Sequence, residues 1–330
     1  MTTFKLALSL FLLIPLAKTI KAETTVKFAT LAPEGTSWTK TLRKFADEVK
    51  EKTSGRVVFK IYSGGISGDE KDVVRKIRIG QLNAAGFTGF GIGEIAPEIR
   101  VLDTPFLFSG PEEIDRIYMK FSGEFNDIFL KKGFVLLGWS EVGEVYVFSK
   151  NPIGKISDFA KSKMWLWEGD PIAEETFRQL KANLIPLSIT DVMTSLQTGM
   201  IDAVYGTPNT IIPLQWYSKM KYALDLPVTN ASGAVLINKK TFDMFSKEDA
   251  AAVMDLAKKY FKSLNETSRK ENLKALETLR SKGITFIKPS PEEISEFKKA
   301  GEIARKKLAG KVYSQDLLGK IEAELSKSKK

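Results

Sequence analysis

The sequence contains no cysteine and no histidine. Without cysteine there are no disulfides, no thiolate metal ligands, no Cys–His dyads and no lipid attachment through an N-terminal cysteine. Without histidine the commonest metal ligand and the usual general base are missing, which excludes Ser–His–Asp triads and imidazole zinc sites. Long apolar runs are scarce as well. The run LALSLFLLIPLA (6–17) rises about 18 Å as a helix, too short to cross roughly 30 Å of hydrocarbon. Lys5 precedes it and Ala22 closes the stretch behind it, the pattern of a secretory signal peptide over residues 1–22. No later segment is long and apolar enough to span a membrane, so an exported, soluble protein is expected.

What is present is a chain of 330 residues with 43% hydrophobic composition, large enough for two lobes without disulfide support. The formal charge is +10. Lys5, Lys18 and Lys21 fall in the signal region, and much of the rest lies in tracts such as KKLAGK and SKSKK. These read as a solvated basic surface, with attraction to an anionic membrane or an acidic partner as the functional alternative. No aromatic–basic recognition motif is present, and nucleic acid is not expected as a partner.

TVKFATL (25–31) alternates as a strand, and from Ser37 the residues Trp38, Leu42, Phe45, Ala46 and Val49 recur at helical spacing. RVVFKIY (56–62) then gives a second strand, a unit that predicts parallel pairing. The stretch 84–108 carries Gly89, Gly91 and Gly93, but neither Walker nor dinucleotide spacing. It reads as a loop whose backbone approaches a ligand or another chain segment. In KMWLWEGDP (163–171), Trp165 and Trp167 stand on one face of a strand, and Asp170-Pro171 reads as an N-cap with proline at the first helical position. Read alone, that pair belongs to core packing. The strand MIDAVYG (200–206) runs into TPNT. From Ser246 a helical pattern continues to Gly283 through a polar middle, NETSRKEN (265–272), which predicts one long or bent helix touching two bodies. Two amphipathic segments close the chain. Alternating strands and helices in two halves predict two α/β lobes with a small solute bound between them.

The order of segments resembles the periplasmic solute receptors of tripartite ATP-independent periplasmic (TRAP) transporters. LAPEGTSWTKTLRKFADEVKEKTSGRVVFKIY is similar to that family's opening, LDTPFLFSGPEEIDRIY to its D-x-P-F-L-F segment, and LIPLSITDVMTSLQTGMIDAVYGTP to its L-Q-x-G-hydrophobic-D segment. The resemblance implies an α/β, two-lobed periplasmic binding protein fold with hinge-linked lobes and a long helix spanning both. The implied division is 23–142 and 231–270 in lobe I, and 143–230 and 271–330 in lobe II, hinged near 142–145 and 231–235. It also implies capture of a small-molecule ligand and delivery to small and large TRAP membrane subunits; no cofactor, no metal-ligating residue and no enzymatic turnover are expected.

The strand matching KMWLW carries an arginine in most relatives, where it pairs with a ligand carboxylate; here that position holds Trp165. An indole has one donor and no charge, so an apolar or amphipathic ligand is expected. The ligand-site candidates are Trp38, Phe87, Thr88, Phe90, Trp165, Trp167, Tyr205, Thr207 and Asn209. Core or staple packing stays open for Trp38, hinge packing for Phe87, Thr88 and Phe90, and flanking of the next helix for Trp167. Gln197, Gly199 and Asp202 match the family but carry structural expectations. Arg43, Arg75 and Arg178 are replacement cations by type, each on a helix where outward solvation is the default. Three other functions stand beside this one. They are a carboxylate hydrolase using Glu141 and Glu144, an ATP-driven importer's receptor, and an amphiphile carrier working with a helical-repeat periplasmic protein.

Overall fold

A computed structural model describes residues 23–327; the expected signal peptide lies outside them. The strands are β1 (Thr24–Thr30), β2 (Val57–Tyr62), β3 (Ala84–Thr88), β4 (Phe134–Trp139), β5 (Gly143–Ser149) and β6 (Lys163–Trp167). They continue with β7 (Asn183–Leu187), β8 (Ala203–Gly206), β9 (Tyr222–Leu224), β10 (Thr229–Ala231), β11 (Gly233–Asn238) and β12 (Thr285–Ile287). One sheet has the order β2-β1-β3-β11-β4; the other has β12-β9-β5-β8-β6-β7, with β10 against β5. β1 pairs in parallel with β2, as the strand–helix–strand spacing predicted, and also with β3, which falls in the stretch expected as a loop, while β11 runs antiparallel to β3 and β4.

Alternation along each strand gives each sheet two buried faces. In the first sheet Phe28, Ala84, Val235 and Ile237 face one core, and Ala29, Ala85, Phe87 and Leu236 face the other. In the second, Phe148, Trp165, Trp167 and Val204 lie on one face, and Val147, Met164, Leu166 and Ala203 on the other. This is the two-lobed periplasmic binding protein fold.

Two of the chain's passages between the sheets, β4 to β5 and β10 to β11, run side by side and are tied to each other. Ser140 N donates to Gly233 O at 2.8 Å and Val142 N to Ala231 O at 3.1 Å. The helix Lys247–Ser281 crosses both sheets' bodies in one uninterrupted run. Its first half buries Val253, Leu256, Ala257 and Phe261 against the first sheet, and Leu279 reaches the core of the second. The polar middle lies over the passages: Asn265 Nδ2 donates to Trp139 O and Asn272 Nδ2 to Val142 O.

Two expectations need correction. Residues Gly89–Ile95 form a short helix rather than a loop, with Thr88 as its N-cap. The glycines there make room for side chains of the same chain. A Cβ at Gly89 would sit 2.1 Å from Asp103 Oδ2, one at Gly91 2.7 Å from Glu70 Oε2, and one at Gly93 3.0 Å from Arg100 Cδ. The second concerns the end of the chain, expected with lobe II. The final helix Gln315–Ser326 instead places Leu317, Leu318, Ile321 and Leu325 in the core shared with Ala29, Phe87 and Leu236 of the first sheet. Helices Pro111–Lys120 and Ser122–Lys131, which the sequence reading left unassigned, present Tyr118 and Phe125 to that same core, as does Phe121 between them. None of the helices among the described residues is long and apolar enough to cross a membrane.

Candidate functional site

Two adjoining chambers open between the sheets, of about 130 Å³ and about 380 Å³. They share Thr88, Val142, Ile189, Thr207, Thr210 and Trp216 on their walls. β6 ends in the smaller, inner chamber, and the i, i+2 spacing puts the Trp165 and Trp167 rings 5.7 Å apart on one face. Trp165 is 2% exposed, and its one polar atom is already committed, since Nε1 donates to Leu187 O of β7 at 3.0 Å. Its ring stacks on Tyr205 at 4.8 Å and meets the edge of Trp216 at 5.3 Å. Trp165 therefore packs in the core of its lobe and presents only apolar surface to the chamber. Such ring pairs contribute about 0.5–1.5 kcal/mol each beyond their burial.

Trp167 does more than flank the next helix. Its ring stacks on Phe90, from the other lobe, at 4.6 Å, and its Nε1 donates to both oxygens of Asp69 at 3.1 and 3.0 Å. Asp69, between β2 and β3, also accepts from Ser188 Oγ at 2.7 Å and from Ile189 N at 3.2 Å. One carboxylate of the first lobe thus gathers donors from two segments of the second.

The remaining candidates divide between the chambers. Thr88, Phe90, Trp165, Trp167, Tyr205 and Thr207 line the inner one. Trp38, Phe87, Thr88, Thr207 and Asn209 line the outer one. Trp38 packs against Phe28, with its ring so close to Gly86 that a Cβ there would lie 2.1 Å away. The Tyr205 hydroxyl accepts from Trp167 N at 3.2 Å, and burial pushes its pKa well up. Thr207 and Thr210 share a hydroxyl contact of 2.8 Å, and Asn209 Nδ2 donates to Glu271 at 3.3 Å. Gly199 ends its helix at φ 74°, and Asp202 accepts from Lys163 N at 2.7 Å, so both are structural.

Acidic side chains outnumber basic ones on these walls. The outer chamber has Glu70 and Glu141 and, among the described residues, no lysine or arginine. Glu70 accepts from Thr88 N, Thr88 Oγ1 and Gly91 N, each at 2.7 Å, and so fixes the turn that carries Thr88 and Phe90. Glu141 Oε2 accepts from Arg269 Nη2 at 2.6 Å, while Glu144 accepts from the Tyr146 hydroxyl at 3.0 Å.

The inner chamber has one cation, Arg100, which the sequence reading did not single out. It is 4% exposed and bound on two sides. Nε donates to Asp103 Oδ2 at 2.8 Å, and Nη2 to both oxygens of Asp170 at 3.0 Å. Burial alone would lower its pKa, but the Asp170 and Asp103 carboxylates hold it above the usual value. Arg43, Arg75 and Arg178 lie away from the chambers on exposed helix faces, paired with Glu34, Asp72 and Glu174. The signal for Arg100 was its setting: one charge inside the apolar run Ile99–Leu102 must be buried, and a buried charge needs a partner.

Comparison with known proteins agrees with this architecture. The profile described as "Bacterial extracellular solute-binding protein, family 7" matches residues 28–311. A solute-binding protein of Chromohalobacter salexigens is 28% identical over 226 residues, 66% of this chain and 65% of that protein's length. A TRAP periplasmic solute-binding protein of Ochrobactrum anthropi superposes with a TM-score of 0.80 at 25% identity, covering 93% of this chain and 96% of that one. The sugar acid-binding protein of Advenella mimigardefordensis, solved with galactonate, gives 0.86 at 21% identity over 93% and 99%.

Proposed function

The chain belongs to family 7 of the bacterial extracellular solute-binding proteins, the TRAP receptors, and we propose that it captures an apolar or amphipathic ligand rather than an organic acid. Family membership makes it a non-enzymatic receptor for small molecules, in a family that works in the periplasm. The ligand's apolar part lies in the inner chamber against Phe90, Trp165, Trp167 and Tyr205. Its polar end lies in the outer chamber, where Thr88, Thr207 and Asn209 offer hydroxyl and amide groups and Glu70 and Glu141 favour hydrogen-bond donors. Closure of the lobes on that ligand changes the surface offered to the small and large membrane subunits, which take the ligand up at the expense of an ion gradient.

One observation carries the reading: the chambers' only described cation, Arg100, is already shared by two carboxylates, and the strand position expected to hold an arginine holds a buried tryptophan. An organic acid is the second reading, since the Advenella relative was solved with galactonate. In that case Arg100 would have to serve a third carboxylate.

The test is to purify the exported chain without added ligand, record native mass spectra, denature it and identify what is released. An uncharged or cationic molecule with an apolar portion is the expected finding. Recovery of a small organic acid as the sole ligand overturns the reading, and an empty protein moves the test to a thermal-shift comparison of the two classes.

A further inference from the structure

Arg100 and Asp170 come from opposite sides of the cleft. Arg100 sits in the turn Pro97–Asp103, which packs into the core of the first sheet; Asp170 caps the helix Pro171–Gln179 that follows β6 of the second. One nitrogen of the guanidinium, Nη2, donates to both oxygens of Asp170 while Nε holds Asp103, and all three side chains are 93% or more buried. Two carboxylates around one guanidinium leave an excess of one negative charge in an apolar chamber. A ligand carboxylate brought to the same arginine would be the third. Its approach would raise that excess where little water screens it, and it would compete with Asp170 for Nη2.

We infer that Asp170 is the specificity-determining residue of the cleft: its carboxylate takes, from within the chain, the place at Arg100 that a ligand carboxylate would otherwise fill. This rests on the reading that the ligand is not an acid, and it supplies a cause for it. The residue can hold that place because a second function fixes it there. Asp170 Oδ1 accepts from Ile172 N at 2.9 Å and from Ala173 N at 3.3 Å, and Pro171 starts the helix behind it. The cap aims the carboxylate and the arginine receives it. With Asp170 neutral, Arg100 keeps Asp103 alone, and an arriving carboxylate restores the charge count of the unaltered protein.

Two substitutions separate the cap from the charge. Asp170→Ser keeps a good N-cap and vacates the space beside Arg100, whereas Asp170→Asn keeps cap and shape and removes only the charge. The probes are benzoate and benzamide, matched in size and differing in charge, measured by calorimetry with circular dichroism to confirm folding. The expected result is that the benzoate-to-benzamide affinity ratio rises by roughly tenfold or more in Asp170→Ser, with a smaller rise in Asp170→Asn. The rise should vanish when Arg100→Gln is added to Asp170→Ser. A folded variant whose ratio matches the unaltered protein, or which binds no benzoate, overturns the assignment; if one variant does not fold, the other decides. The two readings fail separately. Preference for benzoate in the unaltered protein sinks the non-acid ligand, whereas an unmoved ratio in the variants sinks Asp170.

Discussion

Burial pushes the Glu70 carboxyl up from its ordinary 4.5 to about 7, against the opposing pull of the Thr88 and Gly91 donors. The folded state therefore holds this proton more tightly than the unfolded chain does. Its stabilising contribution is complete below about pH 4.5 and is lost as pH rises through about 7, a change on the order of 3 kcal/mol. Glu70→Gln cannot titrate, so the difference in melting temperature, unaltered protein minus variant, should shrink by several degrees between pH 4.5 and pH 8. Parallel melting curves across that range would show that the three donors, not burial, govern this carboxyl. Legibility at this scale was uneven. The spacing of Trp165 and Trp167 was readable because strand alternation depends only on sequence distance. That the Trp165 N–H is spent on Leu187 O was not, because the acceptor belongs to a neighbouring strand 22 residues on. Arg100 escaped for the same reason: neither its turn nor the loop holding Asp170 says that the two lie together.

The helix Lys247–Ser281 is the element that makes one body of two sheets, and its polar middle is explained by what lies beneath it. A helix polar all round over 265–272 looks like a weak segment in sequence. In the fold those residues supply the partners that the passing strands lack. Asn272 Nδ2 donates to Val142 O at 2.9 Å, while its Oδ1 accepts from Asn209 N at 3.1 Å; Glu271 receives Asn209 Nδ2 and the Ser37 hydroxyl. Gly143 lies directly under Asn272 at φ 120°, where an added Cβ would stand 2.4 Å from Nδ2. Asn272→Ala leaves Val142 O and Asn209 N without these partners and should cost about 1–3 kcal/mol. Gly143→Ala should cost more, since it meets both the backbone penalty and the clash. Because Asn272 is the clashing group, the double variant should lose less stability than the two singles summed, by about 0.5–3 kcal/mol in a urea-unfolding cycle. Strict additivity would mean that the helix does not bear on the hinge at Gly143.

At the scale of the molecule, the two-lobed architecture was legible because two separate sets of strand and helix patterns were visible in sequence. Where the last helix docks was not, since its apolar stripe fits either body and only tertiary packing chooses the first. The contacts that bind one lobe to the other are likewise tertiary, and they include groups independent of any ligand: the Asp69 carboxylate with Trp167, Ser188 and Ile189, and the Phe90–Trp167 stack. Each holds the lobes in the arrangement of this structure, so on the closure proposed above each sets how much binding energy a ligand must supply to complete it. Asp69→Ala removes several closing hydrogen bonds at once, and of the apolar wall it frees only the Trp167 N–H, leaving the ring itself in place. The free protein should then shift toward the open form, seen as a larger radius of gyration in solution scattering. Apparent affinity should fall by roughly tenfold, because only the closed fraction is fully competent to bind. Restoring an acceptor with Asp69→Asn should recover part of both. If scattering is unchanged while affinity falls, Asp69 acts on the shape of the chamber and not on the equilibrium between forms. If neither changes, the arrangement of the lobes is carried by contacts other than Asp69, Arg100–Asp170 and the ring stack among them.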